Sequence, residues 1–281
     1  MIATVDSIGP GKPYAEVIGD PIAHSKSPLI HNFWLNALNI DATYRACHVP
    51  PNRLGEYIAR RSGDPDWRGC NVTIPHKVSI LDHVADPGGI RENIGAANAV
   101  FWHADSSLAA TNTDAAGFFA PLADHDLTGK DVAVIGAGGA ARAVLFALSR
   151  CDVASVAIYN RNIMKAGGLL AQFGLKGRAL PLGARLPVAT ALLVNASALG
   201  MVGQDTLICD LSPLPTDALV YDLVYAPVET DLLAQAADRG LETIDGLEML
   251  VGQAAVVFEL FFGVAPPRIR DGELRKMLID T

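Results

Sequence analysis

Cysteine is scarce in this chain, and what there is forms no pattern. Cys47, Cys70, Cys151 and Cys209 make no C-x-x-C pair and no spacing that suits a metal. That excludes a disulfide scaffold or a zinc ribbon. The four are expected as reduced, mostly buried thiols of a cytoplasmic protein. The seven histidines are scattered, with no H-E-x-x-H or similar array, so no metal site is read from the chain. No G-x-S-x-G nucleophile elbow is present. No apolar run reaches the ~18 residues of a membrane span. The start, Met1 to Lys12, lacks the basic and apolar segments of a secretory signal and is expected as a loose leader. Positive charge is in deficit: 22 Lys and Arg against 30 Asp and Glu give a formal net charge of −8. General nucleic-acid binding needs a basic footprint, so neither nucleic acid nor membrane is expected as a partner. A local basic pocket for a small anion stays open. No internal repeat or low-complexity segment appears.

What is present is apolar and well patterned. Half of the 281 residues are hydrophobic, enough for two domains with their own cores. The stretch Val132-Ala-Val-Ile-Gly-Ala-Gly-Gly-Ala-Ala-Arg142 reads as a buried strand, a glycine turn and a helix. Gly136 and Gly138, with small Ala141 third, match G-x-G-x-x-G/A. Gly136 permits the tight turn, Gly138 lets a pyrophosphate approach the backbone, and Ala141 lets helix and strand pack closely. The helix N-terminus offers free N–H groups and a positive dipole end to phosphate. A second strand, Ser155 to Tyr159, should end near an acidic residue in an NAD site. Asn160-Arg161-Asn162 stands there instead, with Lys165 one helical turn on. These two cations suit the 2′-phosphate of NADP(H); otherwise they are a solvated pair at a helix start.

Along the rest of the chain, strands and helices alternate. Ala15–Gly19 is a short strand, and the loop after it carries Ser25 and Ser27, with Pro28 opening a helix. Ser27 is then the helix N-cap and Ser25 a loop hydroxyl, or both are ligand hydroxyls at a strand's carboxyl end. Ala42–Val49 and Gly69–Ile74 are further strands with a helix between them, which implies a small parallel sheet. Asn71, Thr73 and Lys77 crowd the end of the last of these. Asn98–Trp102 and Leu108–Thr111 form a hairpin leading to Asp114, which either caps the next helix or serves chemistry. Later strands are expected at Leu192–Asn195, Leu219–Val224 and Glu242–Ile244, with helices over Glu229–Arg239 and Gly246–Phe262. Gln253 lies inside the last, apolar helix and needs partners, as a structural amide or as a ligand contact. A metal-free hydride transfer to a carbonyl needs a proton donor; Lys77 can supply it, and a carboxylate such as Asp114 could orient it.

Several segments together are similar to the shikimate dehydrogenase family. Gly19-Asp-Pro-Ile-Ala-His-Ser-Lys-Ser-Pro-Leu-Ile-His-Asn32 resembles its N-terminal signature, and Asn71-Val-Thr-Ile-Pro-His-Lys77 its catalytic-lysine segment. Gly95-Ala-Ala-Asn98, Asn112-Thr-Asp114, the glycine loop and Asn160-Arg161 match in the same order. Tyr221-Asp-Leu-Val-Tyr225 and Gly246-Leu-Glu-Met-Leu-Val-Gly-Gln-Ala-Ala255 follow. The resemblance implies NADPH-dependent reduction of 3-dehydroshikimate to shikimate in aromatic amino-acid biosynthesis, with Lys77 and Asp114 catalytic. Ser25, Ser27, Asn71, Thr73, Lys77, Asn98, Asp114, Tyr225 and Gln253 would hold the substrate. Gly136, Ala137, Gly138, Gly139 and Ala140 would cradle the pyrophosphate of NADP(H). Asn160, Arg161 and Lys165 would bind the adenosine end, and Leu223, Gly246 and Met249 the nicotinamide. The implied architecture is a two-domain α/β protein with a cleft. Residues 13–113 and 247–281 would form a substrate-binding domain, and 114–246 an inserted NADP-binding Rossmann domain, in a monomer or homodimer.

The chain departs from the family pattern at Ala99 for Thr, His76 for Phe, Ala115 for Gly, Ser197-Ala198 for Thr-Ser, and Lys165 for Arg. Lys165 lacks the bidentate fork of Arg. Two other readings stay open: a quinate/shikimate dehydrogenase using NAD, and a non-catalytic dinucleotide-binding regulator. The presence of both serines favours shikimate, and the lack of an acidic residue at 160–165 argues against strict NAD use.

Overall fold

The structure, a computed structural model, describes residues 2–280. It resolves into two compact units: the chain up to Thr113 together with Gln253 onwards, and Asp114–Gly252. The second boundary falls inside a helix, six residues beyond the 246/247 division expected from the sequence.

The first unit contains β1 (Ala3–Thr4), β2 (Tyr14–Gly19), α1 (Ser27–Ala37), β3 (Thr43–His48), α2 (Leu54–Ser62), β4 (Trp67–Val72), α3 (Ile90–Asn93), β5 (Ala99–Trp102) and β6 (Leu108–Thr111). Its strands lie in the order β1-β3-β2-β4-β5-β6. The first four are parallel, while β5 pairs antiparallel with β4 and β6 antiparallel with β5, so the sheet is mixed where a parallel one was expected. The hairpin lies where the sequence puts it; its docking onto β4 carries no local signal.

Three local readings are corrected. The leader is not loose: Ala3 and Thr4 pair with Cys47 and His48, and Val5 is buried. Arg61 holds it by donating to Thr4 O and Ser7 O. A two-residue strand shows no periodicity. Ser27 is not the N-cap; the helix begins at Ser27, and its N–H donates to Ser25 Oγ at 3.3 Å. The third strand spans Trp67–Val72, earlier than Gly69–Ile74, because Trp67 pairs with Tyr14 and Val72 with Ile18.

The second unit contains α4 (Asp114–Phe119), β7 (Asp131–Ile135), α5 (Gly139–Leu148), β8 (Ser155–Tyr159), α6 (Ile163–Gln172), β9 (Gly177–Leu180), β10 (Thr190–Asn195), β11 (Leu219–Asp222), α7 (Asp231–Asp238) and β12 (Glu242–Ile244). α8 (Gly246–Phe262) begins here and continues into the first unit, where α9 (Asp271–Ile279) follows. The order β12-β11-β10-β7-β8-β9, parallel throughout, is a doubly wound sheet. The chain winds from β7 outward through β8 and β9, then returns to β10 and winds the other way. The switch point lies between β7 and β10, where open α/β sheets bind ligands at the carboxyl ends. Val132 and Val134 enter one core and Ala133 and Ile135 the other, which is why β7 is apolar on both faces.

Candidate active site

In the second unit the glycine turn sits at the switch point. Gly136 has φ +109°, and a Cβ there would lie 2.8 Å from Ala196 O, so only glycine fits. Gly138 is exposed and extended, and a Cβ on it would meet nothing within 4 Å. Behind it α5 runs for ten residues, its first-turn N–H groups lacking intrahelical partners. Ala141 is fully buried between helix and sheet. This is a cradle that a side chain would fill, and it fits the pyrophosphate of a dinucleotide.

At the end of β8, Asn160 Nδ2 donates to Asn162 O at 2.9 Å, and Asn162 Oδ1 caps α6 by accepting the Lys165 N–H at 3.0 Å. Arg161 and Lys165 are exposed within the same turn, with no carboxylate among residues 160–165. The donor set fits a ribose phosphate better than a bare ribose diol. Leu223 and Tyr225 follow β11, and burial pushes the Tyr225 hydroxyl pKa above its ordinary value. Gly246 opens α8 against this segment: a Cβ there would stand 2.5 Å from both Leu223 O and Val224 O. Met249 lies in the apolar core with Tyr221 and Phe118. Asp114 is buried as the first residue of α4.

In the first unit the polar residues gather at the carboxyl ends of β2 and β4. These ends are laced together, Thr73 N–H donating to Ile18 O and Asp20 N–H to Ile74 O, each at 3.0 Å. The loop with Ser25 and Ser27 thus leaves the sheet beside the one with Thr73 and Lys77. Asn98 is the hub. Its Nδ2 donates to Thr113 Oγ1 at 2.9 Å and to Gln253 Oε1 at 3.3 Å, and its Oδ1 accepts the Thr113 N–H at 2.8 Å. Asn71 Nδ2 reaches Asn98 O at 3.4 Å, and the Ala97 N–H donates to Lys77 O at 2.7 Å. One row of buried amides therefore runs beside the lysine segment. Asp114 and Tyr225 belong to the other unit.

Two members of this arrangement escaped the sequence. Tyr44 is fully buried and donates to Asn71 Oδ1 at 2.6 Å, which turns the Asn71 amide nitrogen toward Asn98. Thr113 bridges Asn98 and Gln253. Thr113 had a signal, being next to Asp114; Tyr44 had none, since its partner lies 27 residues on. His76 has a specific place too, its Nε2 donating to Val49 O at 2.6 Å, a bond that phenylalanine lacks. Among the described residues, no group of His, Cys, Asp and Glu could hold a metal ion, and no helix is long and apolar enough to cross a membrane.

Family models match in three places. Residues 17–100 match the shikimate dehydrogenase substrate binding domain, residues 120–190 shikimate / quinate 5-dehydrogenase, and residues 246–268 the shikimate 5′-dehydrogenase C-terminal domain. The shikimate dehydrogenase (NADP(+)) of Sphingopyxis alaskensis is 62% identical over 267 residues, covering 95% of this chain and 97% of that protein. Among solved structures, the shikimate 5-dehydrogenase of Thermus thermophilus, in complex with NADP(H) and shikimate, superposes with TM-score 0.82 at 32% identity. That match covers 95% of this chain and 99% of the other. The ligand-free 5-ketofructose reductase of a Gluconobacter strain gives TM-score 0.85 at 28% identity, over 97% and 99% of the two chains. The fold thus also serves a reductase with another name. Matched along almost its whole length at 62% identity, this chain belongs to the shikimate dehydrogenase family.

Proposed function

We propose that the chain works as an NADP-dependent oxidoreductase that interconverts 3-dehydroshikimate and shikimate, with the first unit binding substrate and the second binding NADP(H). The observation that carries this reading is the row of buried amides, Asn71, Asn98 and Gln253, beside the Lys77 segment. Amides both donate and accept, as a polyhydroxylated ring requires. Ser25, Ser27 and Thr73 extend the row with hydroxyls at the neighbouring strand end.

Bound NADPH supplies the hydride. Lys77 gives a proton to the carbonyl oxygen as charge develops there, and takes one from the hydroxyl in the reverse direction. Asp114 is the second catalytic group, and Tyr225 is a further substrate contact. Gly136 to Ala140 receive the pyrophosphate, Asn160, Arg161 and Lys165 the phosphorylated ribose, and Leu223, Gly246 and Met249 the nicotinamide. Thiols kept as free cysteines suit a cytoplasmic enzyme.

The test is oxidation of shikimate with NADP⁺, followed at the nicotinamide absorbance band, with quinate and NAD⁺ in parallel. Turnover is expected to be fastest with shikimate and NADP⁺; quinate with NAD⁺ as the best pair would overturn the reading. Lys77→Ala should abolish turnover while NADPH binding stays nearly intact, and a fully active variant would refute the role of Lys77.

A further inference from the structure

Asp222 ends β11 with no exposed surface, and the reaction just described leaves its carboxylate without a task. Burial pushes its pKa above the ordinary carboxylate value. Three donors from three segments converge on it. Thr230 Oγ1 donates to Oδ2 at 2.7 Å, Asn195 Nδ2 donates to Oδ1 at 2.9 Å, and the Val224 N–H donates to Oδ1 at 3.0 Å. Thr230 Oγ1 also accepts the Leu233 N–H at 3.3 Å as the N-cap of α7, which leaves its own proton for Asp222. The set of partners is matched to an ionised carboxylate.

The bonds continue outward. Asn195 Nδ2 also donates to Leu199 O at 3.0 Å, and its Oδ1 accepts from the Ser197 N–H at 3.1 Å and the Ser197 hydroxyl at 2.7 Å. The Val202 N–H donates to Ala226 O at 2.8 Å. One carboxylate thus fastens the loop after β10, the loop after β11 and the start of α7. Both loops abut the cofactor cradle. Ala196 O is the atom that a Cβ on Gly136 would strike, and Leu223 O and Val224 O are those that a Cβ on Gly246 would strike. A shift of either loop is therefore passed to the glycine turn or to the start of α8.

We propose that Asp222 is a positioning residue for the cofactor: by holding Asn195, Thr230 and the Val224 N–H at once, it sets the loop that abuts the pyrophosphate turn and the loop that abuts the nicotinamide side of the NADP(H) site. This rests on reading the second unit as the NADP-binding domain. An asparagine at 222 offers one acceptor oxygen in place of two, so at least one of the three donors loses its partner.

The experiment compares wild type, Asp222→Asn and Thr230→Val by fluorescence titration with NADPH, hydrogen exchange of the free protein, and steady-state rates. Asp222→Asn is expected to raise the NADPH Kd about tenfold and to speed exchange in 196–202 and 223–227. The shikimate KM at saturating NADP⁺ should change less. Thr230→Val, which deletes one donor, should move the same quantities in the same direction by about threefold. A folded Asp222→Asn protein with wild-type NADPH affinity would overturn the proposal, as would loosening spread evenly over the unit. Should Asp222→Asn not fold, Thr230→Val decides, and an unchanged Kd there overturns it. Wild-type protein that fails to bind NADPH would defeat the reading of the domain itself, a distinct result.

Discussion

His31 sits on α1 with no exposed surface, and neither ring nitrogen has a hydrogen-bond partner among the described residues. Its ring stacks on Tyr44, centroids 4.0 Å apart and planes within 4°, with Phe258 at 5.8 Å and Trp34 edge-on at 5.9 Å. Burial in this aromatic box drives its pKa from 6.5 down to about 3. The unfolded chain takes up a proton as pH falls below 6.5, while the native protein refuses it until about 3. Stability is therefore complete above the upper value and is lost as pH falls through the window, by about 1.4 kcal/mol per pH unit. By pH of about 4.5 the loss from this one group is about 3 kcal/mol, a large share of an ordinary domain's stability. His31→Phe keeps a flat ring over Tyr44 and removes both bare nitrogens. It should stabilise the protein at neutral pH by about 1–2 kcal/mol and flatten the acid slope by about one proton. Urea unfolding followed by tryptophan fluorescence suits the test, since Trp34 and Trp67 are both buried in the same unit. Parallel stability–pH curves for the two proteins would refute the argument.

Two further predictions concern the cofactor cradle. Gly136→Ala sets a Cβ 2.8 Å from Ala196 O at φ +109°, so NADPH affinity should fall at least about tenfold, with the thermal midpoint lowered by a few degrees; calorimetric titration showing wild-type affinity would refute the tight-turn account. Arg161→Ala should weaken NADPH about tenfold more than NADH, measured by fluorescence titration of each; equal losses would remove the 2′-phosphate argument.

How far the sequence could be read followed how local each cause is. β7, α5, β8 and β10 announce themselves through unbroken apolar runs and the glycine turn, and they lie where the runs are. β9 was missed because Gly177-Arg-Ala-Leu180 is half exposed and held by pairing with β8, not by a pattern of its own. β1 was missed for the same reason. Within the candidate site, the motif residues Asn71, Asn98 and Gln253 are joined by hydrogen bonds, while Ser25, Ser27 and Thr73 lie in loops laced side by side. Tyr44 and Asp222 were illegible as site residues. Tyr44 acts through Asn71, and Asp222 in part through Asn195, partners 27 residues away in sequence that the sheet makes neighbours. Cys151 and Cys209 are only partly buried, against the expectation of mostly buried thiols.

The sheet register also separates chemistry from scaffold in the first unit. Glu16 is a fully buried carboxylate and, by burial alone, a tempting catalytic candidate. It accepts from Arg45 Nε at 2.8 Å, Arg61 Nε at 2.8 Å and the Tyr57 hydroxyl at 2.7 Å. In the register of β2 with β4, Val17 stands opposite Asn71 and Glu16 opposite Cys70. Adjacent partners in parallel strands share a face, and successive residues alternate. Glu16 therefore lies on the α2 side of the sheet and the amide row on the other, with the backbone between them. Asn71, Asn195 and Asp222 stand at or next to the carboxyl ends of their strands, where loops can bury a polar group and a ligand can still approach. Glu16 stands third in a six-residue strand. Two arginines and a phenol are what the burial of its charge requires. Its carboxylate closes the N-terminal edge of the fold through Arg61, Thr4 and Ser7.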